Sequence, residues 1–306
     1  MSYIVYSIMI LILPLLLMGF LQKIKAKLQN RIGAPLLQPF FNVLKLWNKT
    51  QILSEDASFL FRFGILLNFC IATYLILSVP WLNFSPMIMG LDLFLLVYLL
   101  AAARFFNILS ALDTGSPFGA FSGSREAALS FLVEPSLVLC LLAPGLLINS
   151  NVMSEMFAFK TAVNSDNPAV WIFASLGLFL TALVELSRMP VDDPNTHLEL
   201  TMVHEAMIIE ASGRNLALCE YSYALKLTLF FGLSVQCFMH AVSAFLPSNE
   251  WLTLFFSVIG MFFLAAVLAM LETVLVKLKW TKCPDFIAYA LTMGMFACIV
   301  ALRGRT

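Results

Sequence analysis

The chain alternates long apolar runs with shorter polar segments, and the apolar runs predict its architecture. About 20 apolar residues are enough to cross a bilayer as an α-helix, and eight runs reach that length. We place them near residues 3–21, 61–83, 88–110, 126–149, 168–187, 217–246, 251–276 and 284–302. The pattern therefore predicts an all-α integral membrane protein of about eight transmembrane helices, forming one polytopic domain over residues 1–306.

One further apolar pattern is too short to span a membrane. Within residues 36–48, large apolar side chains recur at the spacing of one helix face, at Leu37, Phe40, Phe41, Leu44 and Trp47. This i, i+3, i+4, i+7 stripe is typical of an amphipathic helix. Its tryptophan and its flanking lysines suit a position in the membrane interface. Two interpretations remain open: a helix that only rests on lipid head groups, or one wall of a binding site.

Composition supports the membrane assignment. Hydrophobic residues make up 61% of the chain, charged residues 12%, and the mean hydropathy is +0.91. Soluble domains average about 45–50% apolar and about 25% charged residues. The formal net charge of zero identifies no partner, and we expect no nucleic-acid partner.

The distribution of lysine and arginine predicts the orientation. Basic residues concentrate in the segments after the first, third, fifth and seventh apolar runs, whereas the opposite segments hold almost none except Lys160. By the positive-inside rule, those four segments face the cytoplasm and both termini lie outside it. The segments 22–60, 111–125 and 188–216 are also long, so we expect the functional loops on the cytoplasmic face.

Ionisable side chains inside the predicted spans indicate a pathway or internal pairing, because such groups are costly in a membrane. These residues are Asp92, Arg104, Glu134, Glu185, Glu220, Lys226, His240 and Glu272. Most lie in the predicted cytoplasmic halves of their helices, which favours ion uptake followed by lateral transfer to another subunit. The alternative is that the charges only pair, as Glu220 with Lys226, or Glu134 with Arg104 or Arg125.

The loop over residues 184–214 is the densest in polar chemistry. If residues 193–210 were one helix, Asp193, His197 and His204 would share a face, which leaves a metal site open. The segment from His204 nevertheless lacks the second histidine of a zincin motif. A partner-contacting loop and a protonatable loop that responds to the redox state of a partner are the other interpretations, the last because histidine titrates in the working pH range.

Four segments resemble a known family. RIGAPLLQPFFNVLKL (31–46), DTGSPFGAFSGSREAALSFLVEP (113–135), ELSRMPVDDP (185–194) and LETVLVKLKW (271–280) are similar to the membrane subunit 1 family of complex I, the NADH:quinone oxidoreductase. The resemblance is closest to formate hydrogenlyase subunit 4 and other membrane subunits of group 4 [NiFe]-hydrogenases. It covers nearly the whole chain.

The resemblance implies roles for particular residues. The first-loop motif of the family is matched by Arg31, Gly33, Gln38 and Lys45. We assign these four residues, together with His197 and His204, to the seat of the redox arm or the wall of a quinone slot. A proton or ion path is implied through carboxylates, with Arg125 and Arg188 tuning their pKa values. We assign to that path Glu134, Glu185, Glu199, Glu220, Glu272, Arg125, Arg188, Asp192 and Lys226. This chain carries Asn42 where family members usually place an aspartate.

The leading hypothesis is the membrane-anchor and ion-coupling subunit of a hydrogenase-type, complex I-related oxidoreductase complex in the cell inner membrane. It would have no metal and no catalytic residue of its own. The [NiFe] centre and iron–sulfur clusters would lie in a large and a small partner subunit at the cytoplasmic face, with antiporter-like subunits alongside in the lipid bilayer. A quinone-binding module of a complex I-like NADH or ferredoxin:quinone oxidoreductase and a passive structural anchor are the alternatives.

Overall fold

The structure is a computed structural model that describes residues 8, 11–54, 56–81, 86, 88, 90–158, 167–192, 202–243 and 250–304. Its helices follow in chain order. They are α1 (Leu13–Leu28), α2 (Gln38–Trp47), α3 (Phe59–Ser78), α4 (Leu93–Asp113), α5 (Pro117–Ile148), α6 (Met153–Met156), α7 (Pro168–Glu185), α8 (His204–Met207), α9 (Gly213–Ala241), α10 (Glu250–Val274) and α11 (Cys283–Arg303). A 3₁₀ turn, Trp280–Lys282, precedes α11.

Helices α3, α4, α5, α7, α9, α10 and α11 are each long and apolar enough to span a membrane. The predicted all-α membrane fold is therefore confirmed. The first predicted span, 3–21, lies partly outside the described residues, and its helix α1 continues to Leu28. Lys23, Lys25 and Lys27 consequently extend from the last two turns of a helix, and do not lie in a loop as predicted.

The predicted loop 111–125 is mostly helical. Only residues 114–116 separate α4 from α5, with Gly115 at φ +67° in the turn. Pro117 begins α5, where a proline needs no amide hydrogen bond. At 32 residues and 1.5 Å per residue, α5 is about 48 Å long. It therefore exceeds the hydrocarbon thickness of about 30 Å, which explains why its polar first turns resemble a loop in the sequence.

Helix α9 is the centre of the bundle. It packs against α1, α3, α7 and α10, and 83% of its apolar window is buried, the largest share among the candidate spans of the described chain. Gly232 allows one close contact, because a Cβ there would lie 2.2 Å from the Trp81 ring. Polar residues on this helix are therefore held inside the protein.

Helix α2 confirms the predicted short amphipathic helix. It lies against α1 and α9, and the loop before it passes so close to α1 that a Cβ on Gly19 would lie 2.0 Å from the Leu36 carbonyl oxygen. All five side chains of its predicted apolar stripe stay exposed. That face is available to lipid or to another subunit.

Candidate functional site

A buried arginine on α4 holds two carboxylates from neighbouring spans. The Arg104 guanidinium contacts the Glu134 carboxylate on α5 at 2.7 Å and the Glu185 carboxylate at the end of α7 at 2.5 Å. The side chains of Arg104 and Glu185 are 7% and 4% exposed, whereas that of Glu134 is 38% exposed. We call Arg104, Glu134, Glu185, Glu126 and Lys226 the Arg104 cluster.

The other two members surround this core. Lys226 on α9 lies within electrostatic range of Glu185 and Glu126. The pairing of Glu220 with Lys226 considered from the sequence is absent from the ion pairs of the described chain. One arginine and one lysine facing three carboxylates leave the cluster with one formal negative charge. The cluster therefore contains a carboxylate in excess, which can hold a proton without leaving a cation unpaired.

Glu126 is the site residue that the sequence reasoning missed. It is buried, accepts a hydrogen bond from the Ser187 hydroxyl at 3.3 Å and interacts with Glu185 and Arg104. The predicted loop 111–125 placed Glu126 at the first residue of a span, so it was not considered an intramembrane acid. The proline at position 117 was the available signal, because a helix that starts there carries Glu126 into the bundle two turns before Glu134.

A second cluster is built with the opposite polarity. The Glu272 carboxylate, near the end of α10, contacts the Lys25 ammonium of α1 and the Arg188 guanidinium, each at 3.1 Å. Arg188 also donates from Nε to the Tyr223 hydroxyl, which in turn donates to the Leu186 carbonyl at 3.1 Å. We call Lys25, Arg188, Tyr223 and Glu272 the Glu272 cluster. Because two cations face one carboxylate, the Glu272 cluster has one formal positive charge.

The guanidinium of Arg188 stays charged in this environment. Burial by itself would lower the pKa of Arg188, but the Tyr223 hydroxyl and the Glu272 carboxylate raise it above its usual value. Its neighbour Ser187 faces the other way, toward Glu126. Two consecutive residues after α7 thus contact the two clusters, so a shift of this short segment would affect both.

The loop that follows is fastened by one aspartate. The Asp192 carboxylate contacts the Lys277 ammonium at 2.6 Å and accepts the Val203 amide hydrogen at 2.8 Å. Asp192 thereby joins two parts of the loop over residues 184–214, at positions 192 and 203, to the segment after α10. Glu199 and His197 lie outside the described residues. From residue 202 to 210 only His204–Met207 is helical, so a continuous helix over 193–210 is wrong in its described part.

A cavity of about 290 Å³ lies beside the Glu272 cluster. Its polar lining includes Lys25, Asn42, Arg188, His204 and Tyr223, together with Glu205, Glu220 and Glu272. Apolar residues of α1, among them Leu15 and Met18, complete the wall. The cavity can accept a polar group at one end and an apolar group at the other.

His204 borders this cavity with its ring 5.3 Å from that of Tyr223. Burial, reinforced by the positive charges of Lys226 and Arg188, lowers the pKa of His204 to about 4. The side chain is therefore neutral near pH 7, whereas the sequence suggested a group that titrates there. In this neutral state a ring nitrogen of His204 can accept a hydrogen bond.

The first-loop residues, assigned from the sequence to the seat of the redox arm or the wall of a quinone slot, lie largely outside the cavity. Helix α2 contributes Pro39, Asn42 and Val43 to the lining, while Arg31, Gly33 and Lys45 are exposed and do not line it. Gln38 does not line the cavity, but its amide donates a hydrogen bond at 3.0 Å to the side-chain oxygen of Asn42, which does. Asn42 lies one helical turn beyond Gln38 on the face of α2 toward α1 and α9, and it is this later turn that lines the cavity.

Of the two partners that the sequence offered for Glu134, Arg104 and Arg125, the described ion pairs include only Arg104, and Arg125 contacts aromatic rings. Its guanidinium lies 4.0 Å from the centre of the Phe121 ring and 5.4 Å from that of Trp280, a cation–π arrangement. Arg104 provides the ion pair to Glu134. Within the described residues, no group of three His, Cys, Asp or Glu side chains could hold a metal ion.

The comparisons with known proteins agree with this architecture. The family model described as NADH dehydrogenase matches residues 1–302. The chain belongs to this NADH dehydrogenase family. Its membership confirms the resemblance to complex I subunit 1 that the sequence motifs indicated.

Individual relatives refine the position within the family. The chain is 32% identical to hydrogenase-4 component C of Escherichia coli K12 over 234 residues, covering 76% of this chain and 73% of that protein. It is 29% identical to formate hydrogenlyase subunit 4 of the same organism over 275 residues, covering 86% of each. NADH-quinone oxidoreductase subunit 8 of Thermus thermophilus is 28% identical over 224 residues, 66% of this chain and 60% of that protein.

A solved structure shares the whole fold. A chain of the membrane-bound sulfane sulfur reductase, an archaeal respiratory membrane complex, superposes with a TM-score of 0.79 over 98% of both chains. At 15% identity, this likeness establishes the fold only. The arrangement of helices therefore recurs in an archaeal respiratory membrane complex.

Proposed function

We propose that this chain is the membrane-anchor and ion-coupling subunit of a hydrogenase-type respiratory complex related to complex I. The support is its family and its similarity to hydrogenase-4 component C and formate hydrogenlyase subunit 4. In this proposal the loops 22–60 and 188–216 seat a large hydrogenase-like subunit and a small iron–sulfur subunit at the cytoplasmic face. Antiporter-like subunits lie alongside in the membrane, and the [NiFe] centre and iron–sulfur clusters belong to the partner subunits. The complex lies in the cell inner membrane, with both termini of this chain outside the cytoplasm.

The observation that carries the proposal is the pair of oppositely charged clusters joined through Ser187 and Arg188. The Glu272 cluster borders a cavity on the side of the loops, and the Arg104 cluster lies among the spans. A change of charge in a partner docked at the loops would act first on Arg188. A movement of Arg188 would shift Ser187 and so the proton affinity of Glu126 and Glu185, which starts ion transfer into the membrane.

Three further residues of the predicted path have narrower proposed roles. Glu220 lines the cavity and interacts with Glu205, so we assign it to proton uptake. Asp192 holds the loop in place for the same step. Glu134, the most exposed carboxylate of its cluster, is the proposed outlet toward a neighbouring subunit.

The test is Glu134→Gln in the whole complex reconstituted into vesicles. The amide has the shape of the carboxylate but cannot carry a proton, so electron transfer and assembly should persist while ion translocation is abolished. Glu155→Gln is the matched control, because Glu155 is exposed in α6 near the opposite ends of the spans. Normal translocation by the Glu134 variant would refute the proposed outlet.

A quinone-binding module is the second candidate, supported by the cavity. Its volume of about 290 Å³ lies just below the usual range of small-molecule sites, about 300–1,000 Å³. His204 and Arg188 offer polar groups at one end, whereas the Tyr223 hydroxyl already donates to Leu186. A quinone-site inhibitor that leaves turnover unchanged in the complex would exclude this function.

The passive anchor is supported by the same ion pairs, because every one of them could be purely structural. It predicts that replacing Arg104 and Glu185 together by neutral residues leaves ion translocation per electron unchanged. The coupling proposal predicts that the same double variant assembles but translocates no ions.

A further inference from the structure

A second cavity, of about 280 Å³, lies between α1 and the start of α2. Only apolar side chains line it: Ile12, Leu15, Leu16, Leu36, Leu37, Phe40 and Phe41. We call it the α1–α2 groove. The proposed function leaves it unexplained, since no ion could gain from a lining without polar groups.

Two glycines create the groove by allowing the loop to fold back along α1. A Cβ on Gly33 would lie 2.7 Å from that of Ala26, and a Cβ on Gly19 would lie 2.0 Å from the Leu36 carbonyl oxygen. The loop thus runs from the end of α1 back past Gly19, toward the interior of the membrane. Helix α2 begins beside Leu15 and Leu16, with which Leu37, Phe40 and Phe41 line the groove.

Exposed cations lie at the end of α1 that follows the groove residues, two of them on the helix and Arg31 just beyond it. Lys23, Lys27 and Arg31 are exposed, and the Arg31 amide is bonded to the Ala26 carbonyl at 2.8 Å, which holds it at the end of α1. Seven residues separate Leu16 from Lys23, about 10 Å along the helix axis at 1.5 Å per residue.

Among the residues that the structure describes, these cations have no acidic partner. The first acidic residue of the sequence is Glu55. Within the described chain, no ion pair joins Lys23, Lys27 or Arg31 to a carboxylate, whereas Lys25 on the same helix is held by Glu272. A positive rim about 10 Å along α1 from an apolar slot matches a molecule with an anionic head and a hydrocarbon tail.

We propose that the α1–α2 groove binds one acyl chain of an anionic phospholipid whose phosphate group is held by Lys23, Lys27 and Arg31. An uncharged isoprenoid tail would fill the groove equally well but would make no use of the cations. A zwitterionic lipid would gain less from them, because its own positive group opposes the attraction. The lipid would fix the angle between α1 and α2 and so the wall of the neighbouring cavity, which shares Leu15 with the groove.

The experiment uses the intact complex in nanodiscs that contain phosphatidylglycerol or phosphatidylcholine, each with the same diazirine-bearing acyl chain. After irradiation, labelled peptides are mapped by mass spectrometry. We expect phosphatidylglycerol to label residues 12–16 and 36–41 at least about fivefold more than phosphatidylcholine, a ratio that corresponds to about 1 kcal/mol of binding free energy. Equal labelling by the two lipids would reduce the groove to ordinary lipid contact and overturn the proposal.

Further variants separate the head from the tail. Lys23→Gln with Lys27→Gln should lower phosphatidylglycerol labelling to the level of phosphatidylcholine, while Lys49→Gln should not. Lys49 is a suitable control because it is exposed but its backbone packs near Gly213 at the start of α9. Leu16→Trp should fill the groove and remove the label while the cations remain. Loss of phosphatidylglycerol labelling in the Lys49 variant would contradict the site. Labelling at the wild-type level in the Lys23/Lys27 variant or in the Leu16 variant would contradict it as well.

A competition decides between the two amphiphiles. Unlabelled phosphatidylglycerol should displace the photoprobe, and a long-chain quinone at the same membrane concentration should not. Displacement by the quinone alone would assign the groove to an isoprenoid tail and overturn the lipid proposal.

Discussion

In both the Arg104 cluster and the Glu272 cluster, one central charged group contacts two groups of the opposite charge, but the signs are reversed. In the first, one guanidinium holds two carboxylates at 2.5 and 2.7 Å. In the second, one carboxylate holds two cations, each at 3.1 Å. The former carries surplus negative charge among the spans and the latter surplus positive charge beside a cavity. The consecutive residues Ser187 and Arg188 contact one cluster each.

The difference in composition implies a difference in response. A cluster with a carboxylate in excess can accept a proton and remain internally paired. A cluster with a cation in excess repels protons but attracts an anionic charge that enters the cavity. In the proposed function, uptake of a proton by the first cluster would therefore be linked to negative charge near the second.

Replacing Arg104 by methionine should produce the largest loss. It leaves Glu134 and Glu185 beside each other without their cation, and removing one partner of a buried ion pair costs about 3–5 kcal/mol. We expect a markedly lower yield of assembled complex on size-exclusion chromatography and no ion translocation. Arg104→Lys, which keeps one charge but not the two-armed contact, should recover assembly in part.

Wild-type amounts of Arg104→Met complex would show that the two carboxylates do not depend on this arginine. The double variant Arg104→Met/Glu185→Gln sharpens the result. It should regain stability because it buries fewer unpaired charges, yet stay inactive in translocation.

Replacing Glu272 by glutamine should have a smaller effect on stability. Lys25 is 15% exposed and the cluster borders a cavity, so water can partly solvate both cations after the change. We expect a loss of about 1–3 kcal/mol, typical of a lost charged hydrogen-bonding partner, measured as a lower midpoint of thermal unfolding of the complex. Coupling between turnover and ion flux should weaken without disappearing.

Lys277→Gln is a control for Glu272→Gln, since it removes a cation from the same end of α10 but acts on Asp192. Equal loss of coupling in both variants would show that general loosening of the loop, and not the Glu272 cluster, controls the flux.

His204 should produce the smallest effect, visible only on acidification. Its folded-state pKa of about 4 lies below the ordinary value of about 6.5, so the folded state binds fewer protons than the unfolded state between these pH values. Its contribution to stability is therefore complete above about pH 6.5 and is lost as the pH falls toward about 4.

The measurement compares the unfolding temperature of the wild type with that of His204→Gln from about pH 7 to about pH 4.5. The wild type should lose a few degrees more than the variant. Parallel pH profiles would show that His204 titrates as an exposed histidine and that the cavity is open to bulk water.

Much of this molecule could be predicted from the sequence because membrane insertion depends on local composition. The runs beginning near 61, 88, 168, 217, 251 and 284 correspond to helices that begin within five residues of those positions. The amphipathic helix followed from the spacing of Leu37, Phe40, Phe41, Leu44 and Trp47. Arg104, Glu134, Glu185 and Glu272 stood out because ionisable residues are rare in apolar runs, and all four are members of the observed clusters.

The partners of those charges could not be read from the sequence, because they depend on how distant helices pack. Glu272 pairs with Lys25, 247 positions away, and Glu134 pairs with Arg104 although Arg125 lies nearer along the chain. The start of α5 was also hidden, since its first turns project beyond the apolar run, and with them Glu126 was missed. Only the tertiary structure could decide these points: hydrophobicity selects which segments enter the membrane, whereas pairing depends on distances of a few ångströms between side chains that different helices bring together.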